Sequence, residues 1–213
     1  MTEVRLILSL IRLDENYCSP VSTALCLGTF DGVHLGHQAL VRACCQEAEK
    51  RSVLPAAFVF ERPPAAVIHP GSPASRLLTT LEEKTYLLES MGIRNVICAR
   101  FDEKISSMAY DRFFYEILLR RLKAVHLVCG FHYRFGKNAM GNAEMLKELC
   151  LANGLTIAVI PPVKTEKGEL VSSTAIRQYL EHGNRDAAEE MLGRPLLHTE
   201  DRLLGGVSYG KFE

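Results

Sequence analysis

The feature that most constrains this chain is a break at residue 28. An apolar run from Ser22 to Leu27 has the length and bounds of a buried strand and stops at Gly28. From His37 through Lys50 the apolar residues Leu40, Val41, Cys44 and Ala48 recur at spacings of three and four, which predicts a helix with one buried stripe. Strand, glycine loop, helix is the order expected at the carboxyl end of a strand in an open parallel sheet, where ligands bind. A helix start there offers unpaired N–H groups and the positive end of a dipole. The position suits a phosphate. His34 and His37 flank Gly36, whose missing side chain lets a bulky ligand approach the backbone, and each imidazole can donate an N–H to a phosphate oxygen.

The rest of the chain repeats the alternation. Strands are expected at Thr2–Arg12, Ala56–Phe60, Asn95–Ala99, Val125–Cys129 and Thr156–Ile160, with Pro55 ending the first helix. Between them, Thr80 and Glu83 have the spacing of a capping box at the start of a helix that Gly92 closes, with Glu83 and Lys84 read as a solvated face. Helical spacing over Ala109–Leu122 turns Phe113, Phe114, Ile117 and Leu118 to the core, and a helix over Asn142–Asn153 is stopped by Gly154. Glu61-Arg62-Pro63-Pro64 reads as a rigid loop. Alternating strands and helices give an α/β fold with a doubly wound parallel sheet.

Composition removes several function classes. Twenty-five basic and 25 acidic residues leave no net charge, so no electrostatic footprint for nucleic acid or anionic membrane is expected, and any phosphate site must be local. No run reaches transmembrane length, and the apolar Leu6–Ile11 stretch lacks a following small-residue cleavage pattern, so the cytoplasm is the expected location. Seven cysteines without a Cys-x-x-Cys pair argue against zinc, and Cys26, Cys98 and Cys129 read as reduced core residues. A metal site joining His34 and His37 to Cys44 or Cys45 is disfavoured because adjacent helical residues face different ways. No protein metal site is therefore expected.

Two further segments carry chemistry. Gly130-Phe131-His132-Tyr133-Arg134-Phe135-Gly136-Lys137-Asn138 is not a P-loop: five residues separate its glycines, and Asn138 stands where a magnesium-binding hydroxyl is needed. Its alternating aromatics offer one face for stacking on a planar ring. In Ser172-Ser173-Thr174-Ala175-Ile176-Arg177 a serine caps a helix and Arg177 lies one turn beyond Ser173. Hydroxyl, helix dipole and guanidinium are thus expected to converge on one anion.

Taken together, Gly28-Thr29-Phe30-Asp31-Gly32-Val33-His34-Leu35-Gly36-His37 resembles the HxGH signature of the nucleotidylyltransferases, in the form found in the FMN adenylyltransferase (FAD synthetase) module of bacterial riboflavin kinase/FAD synthetases. Arg76-Leu77-Leu78-Thr79-Thr80, the Gly130–Gly136 segment and Val171–Arg177 are similar to later segments of that family, and the likeness extends over residues 20 to 195. The resemblance implies a Rossmann-like nucleotidylyltransferase fold and transfer of AMP from ATP, carried with Mg2+, to FMN as substrate, giving FAD as product and pyrophosphate. It implies that His34 and His37 serve the α- and β-phosphates and that Ser172, Ser173 and Arg177 hold the β- and γ-phosphates. Gly28, Phe30, Asp31, Gly32, Gly36, Gly130, His132 and Thr174 are implied on the nucleotide, and Phe60, Arg62, Phe131, Tyr133 and Phe135 on the flavin. Read from the residues alone, Arg62 is equally a solvated loop arginine.

The sequence departs from the family pattern at Pro63, where a histidine is usual, and at His132, Ala139 and Asn142, where Asn or Asp, Arg and Asp are common. Three alternatives stand beside the main reading: a flavin- or nucleotide-binding homologue without turnover, which these departures motivate, a transferase acting on another phosphate monoester, and a bifunctional enzyme cut short, with its kinase activity elsewhere. Gly193-Arg194-Pro195 resembles the linker into the family's riboflavin kinase barrel, for which Leu196 to Glu213 is too short. The expected division is a catalytic domain over residues 1–192 and a tail over 193–213.

Overall fold

The computed structural model describes residues 10–72 and 75–196. Six strands form one all-parallel sheet: β1 (Leu10–Arg12), β2 (Thr23–Leu27), β3 (Leu54–Phe60), β4 (Asn95–Ala99), β5 (Ala124–Gly130) and, after two short strands, β8 (Thr156–Ile160). Their spatial order is β1-β4-β3-β2-β5-β8. From β2 the chain first steps through β3 to β4 and then returns to the other side of β2 for β5. The winding direction thus reverses between β2 and β5, and such a switch point opens a crevice beyond the carboxyl ends of the strands.

Period-two alternation in β2 feeds two cores. Ala24 and Cys26 face Leu40, Val41, Cys44 and Ala48 of α1 (Leu35–Arg51) and Leu88 of α3 (Leu81–Ser90). Leu25 and Leu27 face Phe113, Phe114, Ile117 and Leu118, and Leu146 and Cys150 of α6 (Ala143–Ala152). Each fully buried aliphatic here contributes about 1.5–3 kcal/mol over its exposed state. A third, smaller core joins Val171 to α7 (Ser173–Glu181) and α8 (Arg185–Leu192), and it reaches Leu35 and Leu78.

Several boundaries differ from the sequence reading for local reasons. The first strand is described from Leu10, and residues 2–9 of that expected strand lie outside the described residues. Helix α1 starts at Leu35, because His34 caps it, and ends at Ser52 in the left-handed region; Pro55 lies within β3, where its carbonyl accepts from Arg94 N. Pro63-Pro64 starts a short helix, α2 (Pro64–Ile68), which a proline tolerates at its first position. The expected helix over 109–122 divides into α5 (Tyr110–Arg112) and a π-helical segment, Phe113–Arg121, preceded by α4 (Glu103–Ser106). Cys26, Cys98 and Cys129 are buried and free, as are Cys44 and Cys150. No helix among the described residues is long and apolar enough to cross a membrane.

Candidate active site

Leu27 pairs with Cys129 across the switch point, so Gly28 and Gly130 end neighbouring strands side by side. Both line a cavity of about 1120 Å³ at the carboxyl edge of the sheet. That exceeds the roughly 300–1,000 Å³ usual for one small ligand. His34, Gly36 and His37 at the start of α1, and Ser172 at the start of α7, line it as well. The N-termini of two helices therefore meet one cavity, and each carries positive dipole character.

The loop from β2 into α1 is held in a strained shape. Phe30 and Val33 have φ of 50° and 42°, and Gly32 has 84°; at Gly32 an added Cβ would also come within 2.9 Å of Leu78 Cδ1. A β-branched residue at positive φ persists only where its surroundings over-determine it. Asp31 does so. Its buried carboxylate accepts from the backbone N–H groups of Leu78 (3.0 Å) and Thr79 (3.2 Å) and from the Thr79 hydroxyl, and it pairs with the Arg177 guanidinium. Ser173 Oγ donates to the Asp31 carbonyl (2.9 Å), Arg177 Nε to Arg76 O (2.7 Å) and Arg194 to Gly32 O (2.7 Å).

The two histidines stack in this setting, with ring centroids 3.7 Å apart and planes 16° from parallel. His34 Nδ1 accepts from His37 N at 3.3 Å and caps α1, so the neutral ring carries its proton on Nε2. Burial lowers the His34 pKa to about 4; burial first, then His34 and Lys84, hold His37 well below the ordinary imidazole value. Both rings are neutral at pH 7. Gly36 gives the pair room, since a Cβ there would lie 3.1 Å from the His34 ring, a tight contact. The Nδ1 of His37 is buried without a hydrogen-bond partner, a cost that a ligand oxygen or donor would remove.

The remainder of the cavity is aromatic and apolar. Phe60 packs edge-on against Phe58 (5.3 Å) and Phe101 (5.4 Å), and Phe58 against Phe113 (5.6 Å); all four line the cavity, with Pro64, Val67 and Ile68 nearby. The segment after β5 is a small hairpin, β6 (Arg134–Phe135) and β7 (Gly141–Asn142), joined by a short turn. Its aromatics do not share one open face: Phe131 is 59% exposed, whereas Tyr133 stacks on the buried Phe135 (5.5 Å). Asn138 and Ala139 both adopt positive φ in the turn, and Asn142 caps α6 by accepting from Met145 N at 3.0 Å.

Of the residues singled out in the sequence, Gly28, His34, Gly36, His37, Phe60, Gly130, Phe131, His132, Tyr133, Phe135 and Ser172 line the cavity. Phe30, Asp31, Gly32, Arg62, Ser173, Thr174 and Arg177 do not. Phe30 is buried, Thr174 and Arg62 are exposed, and Arg177 turns inward to Asp31 instead of converging with Ser172 on the open space. Lys84 corrects the solvated-face reading: it is 2% exposed and donates to Thr29 O at 2.8 Å, while Glu83 completes the capping box with Thr80. The signal was present, since Leu81, Lys84, Thr85 and Leu88 occupy the inward stripe of α3. Phe58, Phe101 and Phe113 were also missed as cavity residues; nothing local marks a phenylalanine as lining a void. Cys44 and Cys45 direct their thiols to the carbonyls of Ala24 and Met91. Among the described residues no group of three or more His, Cys, Asp or Glu is placed to hold a metal ion.

Comparison with known proteins matches most of the chain. The FAD synthetase family matches residues 18–175. Bifunctional riboflavin kinase/FMN adenylyltransferases of Escherichia coli K12 and Buchnera aphidicola are 33% and 30% identical over 187 and 190 residues, which is 88% and 89% of this chain but 59% and 60% of theirs. The chain thus spans about 60% of the length of these relatives. A crystal structure named as a macrolide-efflux protein from Streptococcus pneumoniae superposes with a TM-score of 0.78 at 29% identity, over 88% of this chain and 61% of that one.

Proposed function

The chain belongs to the FAD synthetase family, and we propose that it transfers AMP from MgATP to FMN, giving FAD and pyrophosphate. One observation carries this reading. The starts of α1 and α7, with neutral His34 and His37 and with Ser172, line the same cavity as Phe58, Phe60, Phe101 and Phe113. A polyanion and a planar aromatic ring system are the two chemistries such a space receives.

In the proposed reaction an FMN phosphate oxygen attacks the α-phosphorus, the new P–O bond forms, and the bond to the β-phosphate oxygen breaks as pyrophosphate takes the electron pair. No residue is required as a nucleophile. The protein's part is orientation and charge stabilisation. His34 Nε2–H and the His37 ring would donate to the α- and β-phosphates as charge moves onto the leaving group, and neutral rings do so without a competing salt bridge. Ser172 and the first turn of α7 would hold the distal phosphates. Ser173 and Arg177 would act one layer back, fixing Asp31 and through it the Phe30–Val33 turn; Gly32, and Phe30 beneath the His37 ring at 5.2 Å, belong to the same support. Gly28, Gly36 and Gly130 line the cavity without side chains, and His132, which also lines it, would face the nucleotide. Phe60, Phe131, Tyr133 and Phe135 would contact the flavin, while Thr174 and Arg62 are left to solvent. Magnesium is assigned to the triphosphate as part of the substrate.

The test is incubation of the purified chain with FMN, ATP and magnesium, following FAD and pyrophosphate together. Stoichiometric appearance of both supports the reading, and replacing FMN by other phosphate monoesters defines the acceptor. Tight binding of FMN and ATP without product supports the binding-protein alternative, for which the departures at His132 and Ala139 on the cavity rim are the motive.

A further inference from the structure

We propose that Lys84 is a positioning residue for the phosphate site, pinning the Thr29 carbonyl of the β2–α1 loop and placing an ammonium within electrostatic reach of His37. The inference rests on the adenylyl-transfer reading. Lys84 lies in the first turn of α3, anchored by the Thr80–Glu83 capping box, and its ammonium donates to Thr29 O at 2.8 Å. Thr29 lines the cavity between Gly28 and the strained turn. A carbonyl oxygen free to face that space would repel a phosphate; bonded to the ammonium, it is turned away. The titratable groups within electrostatic reach are Asp31 from the loop, Cys98 from β4 and His37 from α1. Asp31 attracts the Lys84 ammonium but is shared with Arg177 and with the 78–79 backbone.

A purely structural role is poorly served by lysine here. The position falls on the apolar stripe of α3, where an uncharged side chain of similar length would fill the same space without desolvating an ammonium. Beyond its attraction to Asp31, the charge gains value where a further anion is held nearby, in surroundings of low dielectric.

Two variants separate the bond from the charge: Lys84→Met removes both, and Lys84→Gln retains a donor for Thr29 O. Thermal unfolding, equilibrium binding of ATP, FAD formation and NMR titration of the His37 ring are measured on each. The expected result is a folded Lys84→Met protein whose ATP affinity falls about tenfold, less than the 10²–10³-fold of a directly contacting donor. Its kcat falls further, and the His37 pKa rises because a repelling charge is gone. Lys84→Gln should recover the melting temperature better than the affinity. Unchanged ATP affinity and an unmoved His37 titration in either folded variant would overturn the inference. A wild-type chain that binds ATP but forms no FAD would overturn the proposed function instead, and Lys84 would then be judged on the binding ratio and the His37 titration alone.

Discussion

Two loops leave the sheet at its switch point, and they are built in opposite ways. The loop after β2 is buried and bonded on all sides: Asp31, Thr79, Lys84, Ser173, Arg177 and Arg194 hold its backbone or side chains, and Gln38 ties Val33 O to Leu192 O. The segment after β5 exposes Phe131, His132, Arg134 and the turn from Lys137 to Met140; from outside it is anchored by the Phe131 N bond to Ile160 O, the Lys137 N bond to Met108 O, and the packing of Phe135 and Gly136 on Tyr110. A loop held like the first suits chemistry that needs fixed donors, and one like the second suits variation in ligand fit. Three of the four departures from the family pattern, His132, Ala139 and Asn142, fall on the hairpin after β5. Asn142 even keeps the capping role that an aspartate would have there.

The sharpest way to break this contrast is to unlock the first loop. Asp31→Ala leaves the Arg177 guanidinium buried without its partner and should cost about 3–5 kcal/mol of folding stability, read by chemical denaturation. A loss below 1 kcal/mol would mean the loop is not held as described. Next, His37→Ala should lower FAD formation by about 10²–10³-fold while shifting the melting temperature little, because its ring nitrogen satisfies no protein group. Equal losses of stability and turnover would reassign His37 to the framework.

Acid should act on the same loop. The unfolded imidazole titrates near ~6.5, whereas burial lowers His34 to about 4 and holds His37 down as well. With the folded value depressed, stability is fully present above pH ~6.5 and falls as the pH drops towards 4, by about 3 kcal/mol from His34 alone. Buried His126, bonded to Thr156 at 2.6 Å with Nε2 unpaired and its pKa lowered by burial, adds to the fall from the opposite end of the sheet. Denaturation midpoints measured between pH 7 and 4 check the slope, and saturating ATP should flatten it if the histidines hold phosphate. The smallest expected change lies on the open loop. Ala139→Gly relieves a positive φ of 55° and should raise stability by about 1 kcal/mol, with ATP affinity unchanged within twofold.

The contrast also explains what could be read from sequence. Periodicity and glycine breaks located β2, β3, β4, β5 and β8 and, within two residues, the start of α1, and the serine cap located the start of α7, because those signals are local. Pattern placed Arg177 on the face of Ser173 but gave no means of knowing that Asp31, 146 residues away, would claim it. Lys84 was misread because its charge outweighed its register on the inward stripe of α3. The π-helical segment at Phe113–Arg121 has the same apolar spacing as an ordinary helix and differs only in how its carbonyls pair. The aromatic wall joins residues from β3, the loop after β4 and the π segment, a meeting that topology makes and no single window contains.

The central claim is that the locked loop transfers an adenylyl group directly between two bound substrates. Following the label from ATP carrying ³²P at the α-phosphate, with FMN and magnesium, tests it most directly. The account predicts label in FAD, none on the protein, and loss of transfer in His37→Ala; label that stays in ATP, or remains on the wild-type chain, would contradict it.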